Sequence, residues 1–147
     1  MATVYGSTIV KAHPEEVWKL VRNFNALPEW FPFIVSSELR EGDAPDRVGA
    51  VRTLQARGGG VVRERLLELS DPKMRLRFLT FEGADLTLNY NGHMRVRPLT
   101  RAGGSFFEFY GVFDAADGDI EKASTWLQSN IFDPVFTRFE ALFGRML

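Results

Sequence analysis

Residues 119–143, DIEKASTWLQSNIFDPVFTRFEALF, decide how this chain folds. At 3.6 residues per turn, Leu127, Ile131, Val135, Phe139 and Leu142 line one edge of an apolar arc. Phe132, Phe136 and Phe143 widen that arc to nearly half the circumference. Asp119 supplies an N-cap, and Asp119 and Glu121 complement the positive end of the helix dipole. So broad an arc is not a coiled-coil seam and needs a large apolar surface to lie on. Pro134 removes a hydrogen bond inside the helix, which implies either a tolerated kink or a curvature that shapes what the helix covers. Trp126 falls off the arc, leaving three placements: partial exposure, the mouth of a pocket, or a contact between copies. Arg138, at the edge of the arc, is expected to snorkel.

The surface is supplied upstream. Thr3–Ala12 reads as a strand, and His13-Pro14-Glu15-Glu16 as a helix start, with Pro at the first helical position. Val17, Trp18, Leu20 and Val21 form its buried side. Asn25–Phe31 allows one more short turn, limited by Pro28 and Pro32. From there the pattern is strands: Phe33–Leu39, Val48–Ala56, Val61–Leu69, Met74–Phe81, Leu86–Arg97 and Ser105–Asp114. Arg57-Gly58-Gly59-Gly60 is a hairpin signal and Ser70-Asp71-Pro72-Lys73 a turn. Short loops between consecutive strands mean an antiparallel meander, because parallel pairing requires long crossovers. The predicted class is α+β, in a single domain spanning 1–147.

Alternation assigns the faces. Leu88, Tyr90, Met94 and Val96 share one side of their strand; Asn89, Asn91, His93, Arg95 and Arg97 share the other. Phe107, Phe109 and Phe113 point inward, with Gly111 among them removing bulk where the helix or a ligand approaches. Met74, Leu76, Phe78 and Thr80 face inward against Arg75 and Arg77. The strand Val61–Leu69 does not sort itself: Val62, Glu64, Leu66 and Glu68 oppose Arg63, Arg65, Leu67 and Leu69. Pattern alone leaves Glu64 on either face. A sheet curled around one helix is not filled by that helix, and the remaining space is expected to be a pocket.

Composition narrows the classes. Hydrophobic content is 45% and charged content 25%, the ordinary range for a globular chain. Thirteen Phe, three Trp and three Tyr provide unusually many aromatic walls. Net charge is −1 with no run of Lys and Arg, which argues against a nucleic-acid partner. Without Cys there are no disulfides, thiol nucleophiles or thiolate metal sites. No secretory signal and no apolar run of membrane-spanning length is read, so no membrane insertion and a cytoplasmic address are the expectation. Gly58-Gly59-Gly60 opens no helix and lacks a following Lys-Ser/Thr, so it is a hairpin and possible gate, not a phosphate loop.

The order of elements, with Val48-Gly49-Ala50-Val51-Arg52, Glu64-Arg65-Leu66-Leu67-Glu68-Leu69-Ser70-Asp71, Asn89-Tyr90 and the stretch Pro14–Trp30 carrying Trp18, Pro28 and Trp30, resembles the START/Bet v1-like (SRPBCC) superfamily. Its bacterial polyketide cyclase/dehydrase branch is the most similar. The resemblance implies a helix-grip fold: a seven-stranded antiparallel sheet wrapped around a long C-terminal helix, with two short helices after the first strand. It also implies a cavity for a small hydrophobic molecule, opening between Arg57–Gly60 and Glu82–Asp85. Relatives carry a Glu at the position of Glu64 inside the pocket, which implies an inward Glu64 here. The plant hormone-receptor branch holds a ligand carboxylate with an inward Lys; the matching position here is Val35, so that clamp is absent.

These considerations set out the candidate site. Trp30, Val35, Leu54, Glu64, Leu66, Phe78, Thr80, Leu88, Tyr90, Phe107, Phe109, Leu127, Ile131 and Val135 are the expected ligand contacts. Glu64 and Tyr90 are the candidate acid–base pair: a carboxylate among Phe and Leu is suited to proton transfer, and a phenol to bonding a carbonyl or enolate oxygen. The competing reading pairs Glu64 with an arginine such as Arg52 and leaves Tyr90 as core. His13 and His93 lack metal-ligand spacing, and neither a metal nor another cofactor is expected. Three functions stand at this level: a binder of a small hydrophobic molecule, aromatic or polyketide-like among the options, in an internal cavity; a cyclase or dehydratase acting through Glu64 and Tyr90; or an interaction module with a vestigial cavity. A monomer and a homodimer are both compatible.

Overall fold

The computed structural model describes residues 1–146. Strand β1 (Ala2–Val10) leads to helix α1 (Pro14–Val21) and a 3₁₀ turn (Leu27–Glu29). Then come β2 (Ile34–Leu39), β3 (Val51–Ala56), β4 (Val61–Ser70), β5 (Arg75–Glu82), β6 (Thr87–Pro98) and β7 (Ser105–Ala115). Helix α2 (Ile120–Leu127), a π-helical turn (Gln128–Phe132) and helix α3 (Asp133–Phe143) close the chain as one continuous helical rod. The strands form one seven-stranded antiparallel sheet in the order β1-β7-β6-β5-β4-β3-β2. This is the helix-grip architecture. No helix among the described residues is long and apolar enough to cross a membrane.

Helix α1 starts as its sequence demands. The His13 side chain accepts from the Glu15 backbone N–H at 3.4 Å, and Pro14 occupies the first turn. Val17, Trp18 and Val21 are buried. The Trp18 indole N–H and the Arg22 guanidinium both donate to Asp71 Oδ1, at 2.8 and 2.9 Å. One carboxylate thereby ties α1 to the β4–β5 turn.

Three departures from simple periodicity matter. Val48 is exposed and β3 begins only at Val51, because Gly49 sits at φ 98° and turns the chain first. The β2–β3 pairing slips between Ile34 and Ser36, so Ile34 faces the core while Val35, 62% accessible, points outward. The β6–β7 pairing slips between Leu88 and Asn91, with Asn89 at φ 51°. That bulge inverts the parity of the start of β6: Thr87 is buried and Leu88 is 52% accessible. Alternation puts Leu88 inside and the family resemblance puts Val35 at an inward position; both are corrected to the outside.

The C-terminal rod departs in the same manner. A constant 3.6-residue period puts Ile131 and Leu142 on the buried edge, yet the fully covered residues are Ala123, Leu127, Phe132, Val135 and Phe139. The step from Leu127 to Phe132 is five residues long and coincides with the π turn, which rephases the apolar stripe. Pro134 lies just beyond it, in the first turn of α3. Leu142 consequently emerges at 42% exposure.

The core is solid at one end. Phe139 stacks on Phe107 at 4.2 Å between ring centroids, with Trp30 5.8 Å from each. Phe132 lies parallel to Phe109 at 4.3 Å. The outer face of the sheet is polar. There His93 stacks on Tyr110 at 4.4 Å and lies opposite Arg77. Burial holds the His93 imidazole below its ordinary value, and Arg77 and Arg75 add to this against the opposing pull of Glu68. As pH falls from about 6.5 the unfolded chain therefore takes up a proton at His93 before the native one does, and stability declines. His93→Gln is expected to flatten that part of the profile, measured by urea unfolding at a series of pH values; an unchanged slope would exclude His93 as its source.

Candidate functional site

Four residues in direct cross-strand register form a polar band on the inner face of the sheet. Arg52 on β3 is opposite Glu64 on β4, Glu64 opposite Thr80 on β5, and Thr80 opposite Tyr90 on β6. Glu64 therefore points inward, settling what alternation left open. Glu64 is 7% and Arg52 only 2% accessible.

The band is tightly bonded. Arg52 donates to Glu64 Oε1 through Nε at 3.0 Å and through its terminal nitrogen at 2.6 Å. Its other terminal nitrogen donates to the Phe24 carbonyl. The guanidinium also lies 3.8 Å above the Phe24 ring and 5.2 Å from that of Phe78. Burial lowers the proton affinity of Arg52, opposed by the Glu64 charge and hydrogen bond. The Thr80 hydroxyl donates to Glu64 Oε2 at 2.6 Å. Burial first, then the Glu64 charge, pushes the Tyr90 phenol far above its ordinary range, so it stays a neutral hydroxyl. A carboxylate has about four lone-pair sites; three donors are already placed, which leaves one acceptor direction on Oε2.

Beside this band lies a cavity of about 420 Å³ between the sheet and the rod. Glu64, Thr80 and Tyr90 line it, as do Leu54, Phe78, Phe109, Leu127 and Ile131, and the rest of the wall is largely apolar. Arg57, Gly58 and Gly60 from one loop and Gly83, Ala84 and Asp85 from another contribute to the lining. The glycines and Asp85 among these are exposed, so the opening lies between these loops. Trp126 is 37% accessible, meets Phe33 edge-on at 5.3 Å and lines the cavity, which places it at the mouth.

The other expected contacts lie elsewhere. Trp30, Leu66, Phe107 and Val135 are buried but do not line the cavity; Trp30 and Phe107 belong to the aromatic plug around Phe139. Val35 and Leu88 face out, for the bulge reasons above. The absent clamp at Val35 therefore says nothing about the interior. Inside, the Arg52 guanidinium is committed to Glu64 and the Phe24 carbonyl, and Arg57, which lines the mouth, donates to the Pro32 carbonyl. Ile34, Val62 and Thr87 line the cavity without having been singled out. Val62 follows from Glu64 by parity, whereas Ile34 and Thr87 required knowledge of the bulges.

A sheet gripping a helix, with an apolar hollow and one neutral polar band, defines a cavity-bearing helix-grip protein. Residues 1–143 match the family described as polyketide cyclase / dehydrase and lipid transport, and the chain belongs to that family. The solved structure of the protein XoxI from Bacillus cereus is similar, at 27% identity over 97% of this chain and 96% of that one, with a TM-score of 0.84. A protein from Nitrosospira multiformis is similar at 27% identity over 97% and 96% of the two chains, with a TM-score of 0.83. A Thermobifida fusca protein shares the fold at 24% identity, 100% and 99% coverage and a TM-score of 0.82.

Proposed function

We propose that this protein binds, without covalent chemistry, one small, mostly apolar and uncharged molecule in the cavity between sheet and helix. The observation that carries this reading is the hollow itself: about 420 Å³, within the range of small-molecule sites, with an apolar wall and a single polar band. Arg52 and Glu64 cancel one another's charge, so the band offers direction and not net attraction. A guest hydroxyl has the free lone pair of Glu64 Oε2 to donate to, and the Thr80 and Tyr90 oxygens lie on the same row. At the band a ligand carboxylate would meet Glu64, whose partner Arg52 is already committed, while Arg57 lies in the mouth loop and donates to the Pro32 carbonyl.

Thermal unfolding with a panel of flat, neutral hydrophobic compounds tests the reading. A true ligand at about 100 times its Kd stabilises by about 2.7 kcal/mol, on the order of 5–10 °C for a chain of this size. Absence of any response across the panel, together with a crystal structure in which the interior has closed, would defeat it.

A cyclase or dehydratase using Glu64 and Tyr90 is the second reading, favoured by the fact that both side chains line one cavity. Against it, the Glu64 oxygens already accept from Arg52 and Thr80, which leaves a substrate a single acceptor direction. The catalytic reading requires product formation that disappears in Glu64→Gln while ligand binding persists.

A further inference from the structure

Gly92 on β6 and Gly111 on β7 are directly opposed, and both are buried on the inner face. Neither has a positive φ, in contrast to the turn glycines Gly58, Gly59 and Gly83. Their backbone is ordinary strand, where glycine costs conformational entropy and contributes no side chain to packing. Chain geometry thus gives no reason for glycine at either place.

Space does. A Cβ at position 92 would fall within the Phe78 ring, and one at 111 within the hydroxyl end of the Tyr90 ring, both far inside van der Waals contact. Phe78 is the cross-strand partner of Gly92, and both rings line the cavity. The two rings, with centroids 6.3 Å apart and planes at 35°, pack against the bare glycine backbone and line the hollow. Gly6 on β1 is the instructive contrast. A Cβ there would strike Phe136 of the terminal rod, which does not line the cavity, so Gly6 serves close packing of the helix.

We propose that the Gly92–Gly111 pair sets the depth of the cavity, and with it the thickness of the largest molecule that enters. Absent side chains at these two positions let Phe78 and Tyr90 lie flat; a methyl group at either lifts a ring into the hollow. The consequence for ligands rests on the binding reading above, whereas the consequence for cavity shape does not.

Crystal structures of the wild type, Gly92→Ala and the double variant Gly92→Ala/Phe78→Leu test the proposal. In Gly92→Ala the Phe78 ring is expected to move inward and the cavity to shrink; in the double variant the space returns. A ring that stays in place while β6 bows outward, leaving the cavity unchanged, overturns the proposal. Should Gly92→Ala fail to fold, recovery of folding in the double variant supports the clash, and failure of both overturns it. Binding supplies a separate arm, with N-phenyl-1-naphthylamine as a bulky neutral reporter and 1-naphthol as a smaller competitor. Gly92→Ala is expected to weaken the bulky probe by about 10- to 200-fold, the range for one misplaced carbon in an apolar pocket, and the smaller one less. Equal weakening of both contradicts a depth limit. If the wild type binds neither probe, that result counts against the ligand-binding reading, and the crystallographic comparison still decides the role of Gly92.

Discussion

Arg52→Met is expected to destabilise the protein by about 3–5 kcal/mol, the usual cost of leaving one member of a buried ion pair without its partner. Arg52 satisfies Glu64 Oε1 twice and holds the Phe24 carbonyl, all where water barely reaches. Its loss strands a carboxylate in an apolar wall and releases the carbonyl that anchors the segment after α1. Urea unfolding monitored by circular dichroism measures this directly. The double variant Arg52→Met/Glu64→Leu provides the decisive comparison. Removing both charges avoids the orphan, and replacement of a buried pair by apolar side chains is often neutral or better. The double variant is therefore expected within about 1–2 kcal/mol of wild type, well above the single variant. It should also weaken any preference for hydroxyl-bearing guests, since the Glu64 acceptor is gone while the Thr80 and Tyr90 hydroxyls remain. A single variant no less stable than the double would mean that the charges are hydrated and the band is not the dry feature described.

The second large effect separates the two ends of the core. Phe139→Ala is expected to cost about 3–5 kcal/mol, because its ring is fully covered and stacks on Phe107, with Trp30 and Phe143 against its other sides. Every neighbour loses contacts and the plug has no room to collapse. Ile131→Ala, two turns earlier on the same rod, is expected to cost only about 1 kcal/mol, since that side chain already borders empty space. Ligand-induced stabilisation should show the reverse order. Ile131→Ala alters the wall a guest touches, whereas Phe139→Ala leaves that wall in place. If Ile131→Ala proved as costly as Phe139→Ala, the cavity end would be as densely packed as the plug.

How much of this was readable beforehand can be traced residue by residue. Phe78, Thr80, Phe109, Leu127 and Ile131 follow from alternation and from the helical stripe, and the structure places them, with Leu54, on the cavity lining. Both methods assume a constant period. The errors occur where a single residue breaks it: the slip beside Ile34, the bulge after Leu88 and the π turn before Asp133. Each inserts one residue without a distinctive local composition, and each reverses or rotates every assignment on its short side. Trp30, Phe107 and Val135 were inward as expected but belong to the plug, because facing a core does not distinguish a filled region from a hollow one.

Composition, hydrophobic period and turn chemistry were sufficient for the α+β class, the strand count, the antiparallel meander and the terminal helix, since these depend on interactions a few residues apart. The choice of Arg52 as the partner of Glu64 over a free acid–base carboxylate, the inward face of Glu64 that alternation leaves open, the rings packed over Gly92 and Gly111 and the size of the hollow are decided only once the strands are set side by side. Those features depend on register between distant segments, and register shifts by one residue wherever a bulge intervenes. Local periodicity carries no record of it.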